Sequence, residues 1–180
     1  AQSGKRWRPF LTVAVFEALR TETGTPLPDT ARRIGAAVEC LHKASLIFDD
    51  VQDQDPTRYG EPTVHTRHGI PVALAAGLFL LGLGYRLIAE CAATPQQRAA
   101  MLSVAARGHC ELSLGQGGEL LWMRRPIPLS VSAVLDLFRM KTAPSFEVCL
   151  RMGAVAAEAD PEIHDILARF SEPLGIGYQI

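Results

Sequence analysis

The stretch LHKASLIFDDVQD, residues 41–53, decides how this chain is interpreted. Mostly apolar residues lead into two adjacent aspartates, and a third aspartate follows three positions later. Residues four apart share one face of a helix, so Asp49 and Asp53 project together. Two such carboxylates can hold Mg²⁺, which prefers oxygen ligands, keeps several waters and bridges to phosphates. The pattern therefore predicts a metal-held diphosphate at the mouth of an apolar channel.

Composition limits the classes of protein that need to be considered. The 180 residues suffice for one domain with a real core, so residues 1–180 are predicted to form a single domain. A net charge of −1 gives no bulk field that would favour nucleic acid. The four cysteines include no Cys-x-x-Cys pair, which argues against a zinc site and predicts reduced thiols in a cytoplasmic protein.

The hydrophobic pattern predicts helices and no membrane span. The uncharged run 70–85 is shorter than the roughly 20 residues that a transmembrane helix needs, so we expect a buried core helix there. Apolar spacing is helical nearly throughout, without a hairpin signal, which predicts an all-α bundle of long helices. The predicted helices cover 9–20, 29–53 with Asp29 as N-cap, 74–92, 95–122, 130–158 with an interruption near Pro144, and a last one from 161; a polar loop with one short helical turn covers 56–69.

Several polar residues outside the aspartates are candidates for holding anions. Lys5 and Arg8 lie in the basic segment GKRWRP, which suits a phosphate group but also fits a solvated basic end. His42 precedes Asp49 by two helical turns on the same face, although a lone helix histidine is usually structural. Arg58 follows the aspartates and could either neutralise a phosphate or lie in water.

A second group of candidates lies in the later helices. Gln116 stands among three glycines, which weaken a helix and predict the close approach of another helix or of substrate. Lys141 and Thr142 precede Pro144, and a lysine at a broken helix can point inward to an anion. Taken alone, Lys141 would more often be a surface lysine.

The joint pattern is more specific than its parts. GKRWRP, HKASLIFDDVQDQD, TRYGEPTVH, GQGGEL, KT and GYQI occur in this order. With these motifs the chain resembles the trans-type isoprenyl diphosphate synthases, the polyprenyl synthetase family, nearly from end to end. The resemblance implies an all-α bundle of long helices around a central apolar cavity, of the isoprenoid synthase type. It also implies a homodimeric, Mg²⁺-dependent prenyltransferase that condenses an allylic diphosphate with isopentenyl diphosphate.

The resemblance implies a role for each candidate residue. Asp49 and Asp53 would ligate Mg²⁺ on the allylic diphosphate, with Asp50 in support. The other implied roles are the isopentenyl diphosphate site (Lys5, Arg8, His42), the first arginine of the family's Arg-Arg-Gly (Arg58), the reaction centre (Gln116, Lys141, Thr142, Gln179), and the tunnel wall, where small residues leave room for a product of twenty carbons or more (Ala44, Ser45). Phe79 and Tyr85 are candidates for the tunnel floor.

The chain also departs from the family pattern. The departures are Phe48 for a histidine, Tyr59 for the second arginine, Leu78 for an aspartate and Glu119 for an aspartate. A second aspartate-rich motif is expected directly after Ile180, so we expect the sequence to be part of a longer protein. Two alternatives stay open: a class I terpene cyclase, which uses the same metal motif, and a non-catalytic subunit that modifies another synthase.

Overall fold

The computed structural model describes residues 6–21 and 28–180 and confirms the predicted all-α class. Within these ranges the chain forms seven α-helices and one small antiparallel hairpin. The elements are α1 (Trp7–Leu19), α2 (Asp29–Gln52), β1 (Thr57–Arg58), β2 (Glu61–Pro62), α3 (Val64–His68), α4 (Ile70–Ala89), α5 (Pro95–Arg124), α6 (Val131–Ala156) and α7 (Pro161–Gln179).

Helices α2 and α6 organise the bundle. Helix α2 packs against α1 and α4, while α6 packs against α1, α5 and α7. Their facing sides form one core, in which each fully buried large apolar side chain contributes roughly 1.5–3 kcal/mol. The largest of its members are Ile34, Ile88, Met101, Phe146, Leu150 and Met152. All four cysteines are free thiols, as the sequence predicted.

The predicted bounds of α2 agree with the structure to within one residue, whereas α4 both starts and ends earlier than predicted, ending at Ala89 and not at residue 92. Asp29 is the first residue of α2 and not its N-cap, so the capping prediction is wrong; its Oδ2 instead accepts a 2.6 Å hydrogen bond from Arg33 Nε. Helix α4 begins at Ile70, four residues earlier than predicted. The reason is Pro71, because proline is well tolerated in the first turn of a helix.

Helix α6 runs unbroken through Pro144, so the predicted interruption is wrong. Proline cannot donate a hydrogen bond to the carbonyl four residues earlier, which belongs to Met140. That carbonyl lies against α5, where a Cβ at Gly115 would come within 2.6 Å of its oxygen. The packing of α6 between α5 and α7 therefore outweighs the local preference of proline.

Helix α4 is less buried than the sequence predicted. Only the face with Ala73, Gly77, Gly84 and Ile88 is buried, and the apolar side chains of the opposite face are exposed. Among the described residues, α4 is the one helix that is long enough and apolar enough to cross a membrane, judged by length and composition alone. In its most apolar stretch, 22% of the residues are buried. The predicted core helix is thus a core helix on one face only.

The polar loop after α2 contains a hairpin that the sequence analysis did not predict. Thr57 pairs with Pro62 across a turn in which Tyr59 and Gly60 have φ values of 53° and 80°. Two successive positive φ values match the type I′ turns that favour short hairpins. Helix α3 follows, as the predicted short helical turn in this region.

Candidate active site

A cavity of about 460 Å³ lies between α2, α5 and α6 and is closed by parts of α1 and α7. It brings together residues that are far apart in the sequence. Nine of the predicted site residues line it: Arg8, His42, Ser45, Asp49, Arg58, Gln116, Lys141, Thr142 and Gln179. Lys5 lies outside the described residues, and Ala44 is buried in the helix packing and does not line the cavity.

Asp49 lines one end of this cavity, which we call the acidic end. Asp53 is not itself a lining residue, but it is hydrogen-bonded to Gln116, which is. Burial raises the pKa of Asp49 to about 6; Lys141 opposes the shift, and the charge of Asp53 adds to it. Asp53 Oδ1 accepts a 3.2 Å hydrogen bond from Gln116 Nε2, while Gln116 Oε1 is buried without a hydrogen-bond partner. A buried carboxylate that resists ionisation and an unsatisfied buried oxygen both suit a cation ligated by oxygen.

Asp50 has a different partner. Its buried carboxylate accepts a hydrogen bond from Arg58 Nε, and Arg58 Nη2 also lies 3.7 Å from Asp55 Oδ2. Like Asp53, Asp50 is not a lining residue of the cavity, and the turn of about 100° between neighbouring helix residues places it on a different face of α2 from Asp49 and Asp53. In the structure Asp50 pairs with Arg58, and the supporting metal role that the resemblance implied stays a prediction.

Two carboxylates are enough for Mg²⁺ at the acidic end. Within residues 6–21 and 28–180, no group of three or more His, Cys, Asp or Glu side chains is arranged to hold a metal ion. Mg²⁺ bound with substrate phosphates needs only one or two protein carboxylates, and it takes its other ligands from water and phosphate. Asp49 and Asp53 meet that requirement.

Lys141 reaches the acidic end because α5 and α6 lie unusually close. Its Nζ donates a hydrogen bond to Glu119 Oε2 on α5. A Cβ at Gly115 would lie 2.6 Å from the Met140 carbonyl and 2.8 Å from Lys141 N, so only glycine allows this approach. At Gly117, which lines the cavity, a Cβ would meet nothing within 4 Å. The glycines predicted to permit close approach thus serve helix packing at one position and open space at another.

Thr142, in the middle of α6, and Gln179, at the end of α7, meet at the cavity. Gln179 Nε2 donates a hydrogen bond to Thr142 Oγ1, and Thr142 is buried. Both residues were predicted to line the reaction centre, and both line the cavity. The amide fixes the threonine oxygen as an acceptor, so the hydroxyl hydrogen is left for another partner.

Arg8 and His42 form a second, basic end of the cavity. Arg8 Nη1 lies 3.3 Å from His42 Nε2, and its Nε and Nη2 both donate to Ser145 Oγ at 3.1 Å. Burial lowers the pKa of His42 to about 3, and the charge of Arg8 contributes. His42 is therefore neutral at pH 7, and because arginine can only donate, Nε2 is the acceptor and Nδ1 carries the proton.

Aromatic rings complete the setting of Arg8. Its guanidinium lies 5.0 Å from the centre of the Phe146 ring and 5.8 Å from that of Tyr178. Sequence reasoning missed Ser145, Phe146 and Tyr178. Ser145 had a signal, since it follows Lys141 by one turn of helix; Tyr178 stands in the GYQI motif beside Gln179. No sequence signal paired either residue with Arg8.

Between its two ends the cavity is lined by several apolar side chains. Ser45 lines it, and its hydroxyl donates to the His42 carbonyl at 2.8 Å, so no bulky group projects there. Phe79 is 69% exposed, so its candidacy as a floor residue is wrong. Tyr85 does not line the cavity itself, but its hydroxyl lies 3.2 Å from Nδ1 of His109, which does.

The family model described as Polyprenyl synthetase matches residues 1–180. The chain belongs to this family. Among similar polyprenyl synthetases are the short chain isoprenyl diphosphate synthase of Methanocaldococcus jannaschii, 30% identical over 98% of this chain and 52% of that protein, and the geranylfarnesyl diphosphate synthase of Aeropyrum pernix, 32% identical over 98% of this chain and 55% of that protein. The chain spans about half the length of these curated relatives.

A solved structure of the family has the same fold. The geranylgeranyl pyrophosphate synthetase of Pyrococcus horikoshii superposes with a TM-score of 0.89 at 29% identity, covering 98% of this chain and 52% of that one. The described helices are therefore arranged as in a polyprenyl synthetase, and the expected isoprenoid synthase architecture is confirmed.

Proposed function

We propose that the protein carrying this chain is a prenyltransferase that condenses an allylic diphosphate with isopentenyl diphosphate. The observation that carries the proposal is one cavity with two charged ends and apolar walls between them. Asp49 marks one end, and Arg8 marks the other roughly 10 Å away along α2, beside His42. Two diphosphates of opposite roles need two such ends, whereas a single-substrate site needs only one.

The acidic end suits the allylic substrate. Mg²⁺ held there by Asp49 and Asp53 would supply Lewis-acid stabilisation of the diphosphate that leaves. Lys141 places a positive charge beside Asp49, and Gln116 holds Asp53 in position. Thr142 offers a hydroxyl whose oxygen is already fixed by its amide partner. Groups arranged in advance in this way stabilise charge separation better than mobile water does.

The basic end suits isopentenyl diphosphate. Among the described residues, Arg8 has no carboxylate partner, and its neighbours are neutral: His42, Ser145 and two aromatic rings. Its charge is available for an anion, and its planar fork matches a phosphate group. Lys5, predicted for the same role, remains a prediction. Holding the second substrate beside the first makes the condensation nearly intramolecular.

Product length, assembly and location are further parts of the proposal. The relatives' names range from farnesyl to geranylfarnesyl diphosphate synthase, so names alone do not set the product length. The absence of bulk at Ser45 supports a product of twenty carbons or more. The exposed apolar face of α4, which includes Leu78 and Phe79, supports a homodimer. A cytoplasmic location is the prediction from the cysteine pattern.

The test is product analysis by chain length with the full-length protein. Geranyl and farnesyl diphosphate are offered as primers with Mg²⁺, with and without isopentenyl diphosphate. We expect elongated products only when both substrates are present. Asp49→Asn and Asp53→Asn should each lower kcat by about 100-fold or more, as expected for loss of metal-assisted charge stabilisation. Asp136→Asn is the matched control, because Asp136 is exposed and 3.5 Å from Arg139 on the surface.

The other outcomes identify the alternatives. Product from the allylic diphosphate alone indicates a terpene cyclase and overturns the proposal. No turnover by the protein, together with an altered product length of another synthase mixed with it, indicates a non-catalytic subunit. Asp49→Asn and Asp53→Asn activities equal to that of Asp136→Asn would remove the proposed metal site.

A further inference from the structure

Two glycines of α4 form hollows that receive side chains of α2. Gly77 and Gly84 are seven residues apart and lie on the buried face of α4. A Cβ at Gly77 would lie 2.7 Å from both Cε1 and Cζ of Phe48, and a Cβ at Gly84 would lie 2.8 Å from both Cγ and Cδ2 of Leu41. Phe48 and Leu41 are themselves seven residues apart. The two contacts are thus equivalent and lie two helical turns from one another.

The same two side chains also form the wall of the cavity. Phe48 and Leu41 both line it, and both are only partly buried. Each side chain therefore touches α4 on one side and the cavity on the other. Because the hollow at each glycine removes a methyl group from their path, both side chains can stand back from the cavity. Any group added at either glycine has to push the side chain toward the cavity or push the helices apart.

The two positions lie at different depths. Phe48 is adjacent to Asp49 at the acidic end, whereas Leu41 lies about 12 Å from Asp49 along the axis of α2. Leu41 is therefore level with His42, but about 100° around the helix from it. The atoms nearest to a Cβ at Gly77 all belong to the ring of Phe48, which can rotate. At Gly84 the carbonyl oxygen of Ala37 is also near, at 3.2 Å, so the backbone limits the movement there.

We propose that Gly77 and Gly84 are specificity-determining residues that set the width of the tail cavity at two depths. By receiving Phe48 and Leu41, they keep the cavity open for a long prenyl tail. This inference rests on the proposed prenyltransferase function and adds residues to it that line no part of the cavity themselves. It also gives the replacement of a histidine by Phe48 a consequence, because the ring then needs the space that Gly77 provides.

The test compares three single glycine-to-alanine substitutions in the full-length protein. Gly77→Ala and Gly84→Ala fill the hollows, while Gly118→Ala is the control: it lies inside α5, does not line the cavity, and its Cβ would meet nothing within 4 Å. All three gain the same helix propensity. Two readouts are needed: the chain length of the products, and the affinity for unreactive thiolodiphosphate analogues with tails of ten, fifteen and twenty carbons.

We expect both cavity substitutions to shorten the products, and Gly118→Ala to leave them unchanged. Binding of the twenty-carbon analogue should weaken at least about tenfold, the effect of losing burial of two methylenes. Gly84→Ala, at the deeper position, should change the affinity for the ten-carbon analogue by no more than about twofold, which is less than the effect of burying one methylene. Gly77→Ala should weaken the fifteen-carbon analogue as well. Combining Gly77→Ala with Phe48→Leu should restore the parent lengths, because the smaller side chain no longer needs the hollow.

Retained ten-carbon binding shows that a variant is folded. If a single variant fails to fold, two other proteins still decide the question: the double variant Gly77→Ala with Phe48→Leu, and Phe48→Leu alone. Phe48→Leu alone should lengthen the products. Parent product lengths and tail affinities in both cavity variants would overturn the inference, and so would the same shift in Gly118→Ala. Failure of the proposed function looks different: the parent would not elongate, while tail-length discrimination in binding could still be measured.

Discussion

The glycines of the GQGG segment offer a sharp test of why Lys141 reaches the acidic end. The perturbation is Gly115→Ala. The added Cβ would lie 2.6 Å from the carbon and oxygen of the Met140 carbonyl. These are backbone atoms inside α6, so neither can rotate away as the end of a side chain could. Helices α5 and α6 have to separate instead, and Lys141 moves with α6.

The size of the effect follows from the overlap. An ordinary contact begins near 3.4 Å, so the helices must part by about 0.8 Å, and overpacking of this kind costs roughly 1–3 kcal/mol. Alanine recovers up to about 1 kcal/mol of helix propensity, which makes the net loss smaller. Gly118→Ala is the matched control, because a Cβ there meets nothing within 4 Å. It should be neutral or stabilising by about 0.4–1 kcal/mol.

The assay is urea unfolding of both variants, followed by steady-state kinetics with saturating primer. We expect Gly115→Ala to have a lower midpoint with an unchanged m-value, which marks a true stability change. Its kcat should fall more than its KM changes, because the lysine acts beside the reacting diphosphate. A Gly115→Ala protein as stable as Gly118→Ala would refute the close approach of α5 and α6 as the reason for this glycine.

Two further predictions concern charged groups. The pKa of His42 is about 3 in the folded state and ordinarily 6.5, so the unfolded chain binds the proton first, and the free energy of unfolding falls as the pH drops from 6.5 toward 3, by at most about 1.4 kcal/mol per pH unit. When unfolding is measured between pH 7 and 4, His42→Gln should lose stability less steeply than the parent. An equal slope in the two proteins contradicts the assignment. Arg58→Gln should lower the free energy of unfolding by roughly 1–3 kcal/mol, because it leaves the buried carboxylate of Asp50 unpaired. The control Arg67→Gln breaks an exposed pair with Glu61 and should change that free energy by less than about 0.5 kcal/mol. Similar losses in both variants would rule out a structural role for the buried pair.

The helices that the sequence predicted well are those with a clear local signal. Helix α2 starts after Pro28 and ends among its aspartates, and periodic apolar residues fill the interval. Helix α6 was predicted less well, because its continuity through Pro144 depends on packing against α5 and α7. The hairpin was missed because its turn is Tyr59-Gly60, in place of the usual Asn-Gly or Asp-Gly.

The site was predicted to different degrees for a similar reason. Helical spacing alone placed Asp49 and Asp53 together, and the same geometry turns Asp50 away, although the resemblance had grouped all three. The contact of Arg8 with Ser145 joins residues 137 positions apart, and local pattern carries no information about such a pairing. Likewise, the hollows at Gly77 and Gly84 are visible only once α2 and α4 are packed.

The opposite charges at the two ends of the cavity have a consequence for the order of events. Without a divalent cation, a bare pyrophosphate group meets repulsion from Asp49 and attraction from Arg8. A bound cation reverses the sign at the first end and leaves the second unchanged. The cavity would then sort two chemically similar ligands by electrostatics: the one that arrives with metal occupies one end, and the one that arrives without it occupies the other.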